Sequence, residues 1–292
     1  MATDLETKCL HSITQLPFDA NAEIFRQYPG FKLGVVDSVR YYAQLLLPLM
    51  KQLIANGSAQ SGWILTAPPM TAQTPAGANL LCRELFDLYM RGPGTYTGKE
   101  LSLIDLQLDS DSTWADWKDP AKSQDYAKLN LADRMTEHER MSRRLTHNAE
   151  FRGRQILFVN DIRVSGAQQQ AMQGYFERAG AACVKWLYLI VVDPEIGRRE
   201  PAIEWQINFA PFEELLRMVS REQIQFTGKC VQRLMSLSIA ELDRVLRAMD
   251  EERRKRLLEL AVLNGFHKRD DFQEQMDLVR SYEHSSVSSG SV

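Results

Sequence analysis

The segment 158-FVNDIRVSGAQ-168 joins a strand-like run to a loop of small residues. The residues from Gln155 to Val159 are apolar after the first, which is typical of a strand buried on both faces of a parallel sheet. Gln168 to Ala179 has the pattern of a helix, so the loop lies at a helix N-terminus. Backbone N–H groups and the positive end of the helix dipole converge there, and Gly166 lets the backbone approach a ligand closely. The sequence therefore predicts a phosphate site in this loop.

This arrangement resembles the phosphoribosyl-pyrophosphate (PRPP) motif of type I phosphoribosyltransferases. In that motif a strand leads to two acidic residues, two variable residues and a loop of hydroxyl residues around a glycine. The resemblance implies that Asn160 and Asp161 are the catalytic pair that holds the ribose hydroxyls, and that Mg²⁺ arrives with PRPP, contacting Asp161 only through the ribose or water. It implies that the phosphate is bound by Val164, Ser165, Gly166, Ala167 and Gln168, while Arg163 stands at a position that the family leaves variable.

The match to the motif is strict at Asp161, Ser165 and Gly166. It departs at three positions, where Asn160 replaces an acid and Val164 and Gln168 replace hydroxyl residues. The alternative is a doubly wound domain that carries an Asp and a Gly after the strand only to cap the next helix.

A second strand and loop lie upstream, in Trp63-Ile64-Leu65-Thr66-Ala67-Pro68-Pro69. Thr74 is the expected N-cap of the helix that follows, with Pro75 at its first position and its end near Met90. By the resemblance, the pyrophosphate loop consists of Thr66, Ala67, Pro68 and Pro69. A turn stiffened by two prolines is the alternative.

A wider resemblance is to the phosphoribosyltransferase-like proteins encoded in bacterial tellurite-resistance and stress gene clusters. It is carried by Phe31-Lys32-Leu33-Gly34 with the helix Ser38 to Leu53, by Asp125 to Leu129, and by the loop Asp161 to Gly166. It implies a PRPP-type ligand with Mg²⁺ and leaves the acceptor base unknown.

The composition bounds the remaining classes. The chain has 292 residues, a formal net charge of -3 and an isoelectric point of about 6.0, so no basic excess indicates a nucleic-acid footprint. No apolar run approaches the ~20 residues that cross a bilayer, and the N-terminus lacks an export signal, so we expect a cytoplasmic protein without a membrane partner. The four cysteines have no C-x-x-C spacing, which disfavours a zinc site.

The predicted fold is α/β, a mostly parallel sheet flanked by helices with a C-terminal all-helical extension. We divide the chain into an N-terminal flap (1–28), a phosphoribosyltransferase-like core (29–210), a helical domain or lid (211–284) and a disordered tail (285–292). The type I family would place a mobile loop in the polar stretch 107–148, although the alternating charges of Asn130 to Arg144 fit a solvated helix better. The helical domain could also form the contact of a homodimer.

Two functional classes remain open. An enzyme would release pyrophosphate from PRPP and attach phosphoribose to a nitrogenous base, with Asp193 to Trp205 as the acceptor region by analogy with the family. A regulatory protein would bind PRPP or a nucleotide without turnover, which Asn160 and Val164 favour. We expect Arg163 to point away from the core residue Ile162 and toward the phosphates, the alternative being a surface ion pair.

Overall fold

The computed structural model describes residues 6–19, 22–57, 62–70, 74–92, 100–108, 131–145 and 149–287. Within these residues five strands form one sheet in the order β1-β5-β4-β2-β3, and every neighbouring pair is parallel. The strands are β1 Thr7–Ile13, β2 Trp63–Thr66, β3 Leu101–Leu103, β4 Gln155–Arg163 and β5 Cys183–Val192. The predicted α/β class with a parallel sheet is confirmed.

Helices cover both faces of the sheet and continue beyond it. Those of the first half are α1 Glu23–Arg26, α2 Tyr28–Leu33, α3 Val36–Ala55, α4 Gly77–Arg91, α5 Leu131–Arg143 and α6 Ala167–Arg178. After β5 come α7 Pro194–Arg199, α8 Ile203–Asn208, α9 Phe212–Arg221, α10 Gly228–Met235, α11 Ile239–Ala248, α12 Glu251–Leu263 and α13 Gln273–Val287. In the part of the chain that is described, no helix is both long and apolar enough to span a bilayer.

The central strand β4 is buried on both faces, as its continuous apolar run predicts. Leu157 and Val159 pack in one cluster with side chains of α3 and α4, whereas Ile156 and Phe158 pack in another with side chains of α6. Losing one large ring from such a layer typically costs about 3–5 kcal/mol. The two packed layers hold the carboxyl end of β4 rigidly in the middle of the sheet.

The N-terminal segment differs from the predicted flap. Thr7–Ile13 is the edge strand β1 and runs parallel to β5, with Lys8 opposite Leu187 and His11 opposite Ile190. Among the described strands β1 pairs with β5 alone, and the polar residues that such an edge position tolerates weaken the strand pattern in the sequence. The short helix predicted around Ala22 to Gln27 is present as α1.

Helix α4 begins two residues later than predicted, at Gly77. Asn79 replaces Thr74 as the residue that organises this end: its Oδ1 accepts the Ala76 N–H at 2.7 Å and its Nδ2 donates to the Pro68 carbonyl at 2.7 Å. The same bonds fix the loop after β2 against the helix. Thr74 instead accepts a hydrogen bond from Asn264 at 3.0 Å, a contact far away in the sequence.

The residues from α9 onward are helical, as predicted, and share an apolar cluster that also includes Leu33 and Val35. Backbone hydrogen bonds from Val36 to Gln223 and from Gln225 to Gly34 tie this part to the end of α2. The division into four domains stays a prediction. Helix α13 extends to Val287, three residues into the predicted tail, while 288–292 lie outside the described residues.

The predicted mobile loop falls only partly on described residues. Positions 109–130, with Trp114, Trp117 and the segment Asp125 to Leu129, lie outside them. Leu131–Arg143 forms α5, which agrees with the helix that the charge pattern of Asn130 to Arg144 predicts.

Candidate functional site

The two residues predicted to hold the ribose lie at the carboxyl end of β4 and both have partners within the chain. Asn160 Nδ2 donates to Gln168 Oε1 at 2.6 Å, which ties the strand to the first turn of α6. Asp161 is 8% exposed; its Oδ1 accepts the Ile162 N–H at 2.8 Å and its Oδ2 accepts a hydrogen bond from Lys32 Nζ. The predicted pair is thus adjacent and oriented by its own neighbours.

The predicted phosphate loop connects the carboxyl end of β4 to the start of α6. Gly166 is the N-cap of α6 with φ of +79°, a conformation that glycine adopts without strain. Ser165 Oγ accepts the Ala167 N–H at 3.4 Å, whereas the Val164 side chain is buried in the core. A Cβ on Gly197 would lie 2.4 Å from the Val164 carbonyl oxygen, so α7 packs closely under the loop.

A cleft of about 230 Å³ lies beside the loop at the carboxyl edge of the sheet, but Asn160, Asp161 and the residues from Arg163 to Ala167 do not line it. Gln168 is the residue of the segment Val164 to Gln168 that lines the cleft. The other lining residues come from the segment between β2 and α4, from the first residue of α4, from α2 and α8, and from the first two turns of α10: Pro68, Pro69, Thr74 to Gly77, Lys32, Glu204, Gly228, Lys229 and Gln232. Met141 of α5 completes the lining.

A cluster of charges borders this cleft around Lys32. Its Nζ contacts Asp161 Oδ2 and lies 3.1 Å from Glu204 Oε1. Burial by itself lowers the pKa of Lys32, but the charges of Asp161 and Glu204 outweigh it, so this pKa lies above its ordinary value. The Tyr28 ring lies 5.7 Å from Nζ, and burial together with the same two carboxylates raises the pKa of its phenol. Lys32 is therefore a fixed cation at neutral pH.

The predicted pyrophosphate loop contributes only its second half to the cleft. Pro68 and Pro69 line the wall. Thr66 is buried and donates to the Ile104 carbonyl at 2.7 Å, and Ala67 is buried beside it. These two residues support the loop from below.

Arg163 does not line the cleft, which differs from its predicted orientation. Ile162 packs in the core as expected, and Arg163 leaves the strand on the opposite face. Helix α6 covers that face, and Gln169 in its first turn accepts a hydrogen bond from Arg163 Nη1 at 3.1 Å. A role of Arg163 in phosphate binding stays a prediction.

The predicted acceptor region, Asp193 to Trp205, reaches the cleft at Glu204. Trp205 is 59% exposed and lies against Phe209 with ring centroids 5.7 Å apart; neither ring lines the cleft. Any stacking on a ligand by these rings is untested.

Sequence reasoning missed the cleft residues Lys32, Glu204, Lys229 and Gln232 as a group. Lys32 lies in a segment that carries the wider resemblance, and Glu204 lies in the predicted acceptor region, but the sequence indicates no role for either side chain. Nothing in the sequence around Lys229 and Gln232 indicates a ligand site, because α10 has the pattern of any amphipathic helix.

Comparison with known proteins gives one family. A family model described as PRTase ComF-like matches residues 116–279, which is more than half of the chain. The matched part contains the loop Val164 to Gln168, Glu204 and Lys229, while Lys32 and the loop Thr66 to Pro69 precede it. No curated protein matches the chain.

Proposed function

This chain belongs to the PRTase ComF-like family of phosphoribosyltransferase-like proteins, and from that membership we propose that its cleft binds a 5-phosphorylated ribose, with PRPP as the full ligand. The observation that carries the proposal is the position of two loops. The loop Val164 to Gln168 and the loop after β2 follow adjacent parallel strands, and Gln168 lines the same cleft as Pro68 and Pro69. Ligands of open α/β sheets bind outside the carboxyl ends of the strands. The wider resemblance to the phosphoribosyltransferase-like proteins of tellurite-resistance clusters points to the same ligand class.

The reaction that we assign to this cleft is transfer of phosphoribose to a nitrogenous base. The bond from the anomeric carbon to pyrophosphate breaks, pyrophosphate leaves with the bond electrons, and an acceptor nitrogen forms the new bond. The chain would contribute position and charge, which account for much of the rate in such reactions. Backbone N–H groups at the start of α6 would hold the 5-phosphate, and Asp161 and Asn160 would face the ribose hydroxyls.

The residues present do not fit a metal ion bound directly by the protein. Asp161 already contacts the Lys32 ammonium, and no group of three His, Cys, Asp or Glu side chains that could hold a metal occurs among the described residues. Mg²⁺ therefore enters this proposal only as part of the PRPP substrate.

A second candidate is a regulatory protein that binds the ligand without transfer. The contacts of Asp161 with Lys32 and of Asn160 with Gln168 favour it, because the two groups that would face the ribose are engaged within the chain.

Titration calorimetry with PRPP and Mg²⁺, and with nucleoside monophosphates, tests binding; a pyrophosphate-release assay over candidate bases tests transfer. Binding with release supports the enzyme, and binding without release supports the regulatory protein. Gly166→Ala should weaken binding about tenfold, because alanine strains the loop. Gly153→Ala is a matched control, since Gly153 also has a positive φ, +71°, with open space around it, and does not line the cleft. Equal affinities of the two variants would contradict the assigned loop.

A further inference from the structure

We infer that Lys32 takes the place of a divalent cation beside Asp161, so that the cleft holds a phosphorylated ribose without a metal ion. The inference rests on the proposed function and adds to it the class of ligand that binds alone: a sugar phosphomonoester such as ribose 5-phosphate. It contrasts with the Mg²⁺ dependence that the family resemblance implies for the complete PRPP ligand.

The geometry around the Lys32 ammonium is that of a cation site already filled. Asp161 from the end of β4 and Glu204 from α8 converge on Nζ from two elements that are distant in the sequence. The side chains of Lys32 and Asp161 are only 17% and 11% exposed, so solvent screens the pair weakly. Glu204 is held in turn by Asn208, whose Nδ2 lies 3.4 Å from Oε1.

The backbone fixes the position from which Lys32 reaches these acids. Its carbonyl accepts a hydrogen bond from Thr227 Oγ1 at 2.6 Å, a buried contact with the helical part of the chain. Helix α2 then ends at Gly34, in the left-handed conformation, where a Cβ would lie 1.9 Å from the Gln225 carbonyl oxygen. The ammonium is therefore placed by two parts of the fold and still borders the cleft.

Charge explains why a metal ion is disfavoured here. The motif position beside Asp161 is the neutral Asn160, so β4 supplies one carboxylate where the family motif has two. The Asp161 Oδ2 atom already contacts the Lys32 ammonium, and that ammonium would repel a divalent ion placed against the same oxygen. Ribose hydroxyls can instead donate to Asp161 and accept from Lys32.

The first test uses the unaltered protein and ribose 5-phosphate. We expect calorimetric Kd values that agree within about twofold in a chelator and in excess Mg²⁺. A requirement for Mg²⁺ would overturn the inference while leaving the proposed function intact. Failure of ribose 5-phosphate and PRPP to bind under either condition would remove the proposed function itself.

The second test replaces the cation. Lys32→Met removes the ammonium that Asp161 and Glu204 share, so Mg²⁺ should tighten ribose 5-phosphate binding about tenfold and raise the melting temperature of this variant. Lys32→Arg keeps a cation and should remain indifferent to Mg²⁺ in both measurements. If Lys32→Met binds as tightly as the unaltered protein and ignores Mg²⁺, Lys32 does not act as the cation. Should Lys32→Met fail to fold, the Lys32→Arg variant and the first test decide.

Discussion

Replacing Asp161 by Asn separates its structural contribution from its place in the ligand site. The amide is isosteric and keeps an oxygen that can accept the Ile162 N–H, but it removes the charge that faces Lys32. A hydrogen bond to a charged group contributes about 1.5–3 kcal/mol. Because Glu204 still pairs with Lys32, we expect a loss near the lower half of that range, about 2 kcal/mol. For a chain of 292 residues that corresponds to a fall in Tm of about 3 °C.

The pH dependence of this loss follows from the pKa of Lys32, which is raised. A raised pKa means that the stabilisation is complete below the unfolded value of about 10.4 and is lost as the pH rises through the folded value. Thermal and urea unfolding of Asp161→Asn should therefore show the same difference from the unaltered protein at pH 6 and at pH 9.

Glu204→Gln provides the control for Asp161→Asn, because it removes the other carboxylate of the same lysine. The Glu204 side chain is 36% exposed, so we expect a loss below ~1 kcal/mol. If Asp161→Asn were as stable as the unaltered protein, the contact with Lys32 would contribute nothing and the argument for a fixed ammonium would be refuted. If it lost both stability and affinity for ribose 5-phosphate, Asp161 would contribute to the fold and to the ligand site alike.

Two further outcomes are expected. Gly34→Ala should cost several kcal/mol in urea unfolding, because a Cβ at its φ of +94° would lie 1.9 Å from a backbone oxygen. Gly153→Ala is the control and should cost only about 1 kcal/mol, because the space around it is open. Equal losses would show that the backbone around Gly34 shifts to admit the Cβ. Ser238→Ala should cost about 1 kcal/mol, because Ser238 caps α11. Hydrogen bonds from Ser238 also lower the pKa of Glu241, so the stabilisation due to Glu241 is present above pH ~4.5 and is lost as the pH falls. Thermal unfolding should therefore show a smaller difference between the variant and the unaltered protein at pH 3 than at pH 7.

The strand, loop and helix around Asp161 could be predicted because their signals are local. A buried parallel strand leaves an apolar run, and a positive φ at Gly166 leaves a glycine. The capping box of Ser238 and Glu241 at the start of α11 is also contained in four residues, so it too leaves a local signal.

The charged cluster could not be predicted because its members are distant in the sequence. Lys32 contacts Asp161 across 129 positions and Glu204 across 172, and a lysine that ends a short helix has no pattern that announces a buried partner. The predicted orientation of Arg163 toward the phosphates differs from the structure for a related reason. Strand alternation places this side chain on the face opposite Ile162, but α6 covers that face, and no local pattern indicates this.

The pairing of β1 with β5 affects the order in which the sheet can be assembled. Thr7–Ile13 is the first strand in the chain, yet its only neighbour among the described strands is Cys183–Val192, the last. During synthesis β1 therefore cannot pair with β5 until Cys183–Val192 has been made, whereas β2, β3 and β4 can associate earlier. Such long-range pairing slows folding and leaves a strand edge exposed to other chains in the meantime. The polar residues within β1, among them Lys8 and Ser12, disfavour aggregation through this edge before β5 is available.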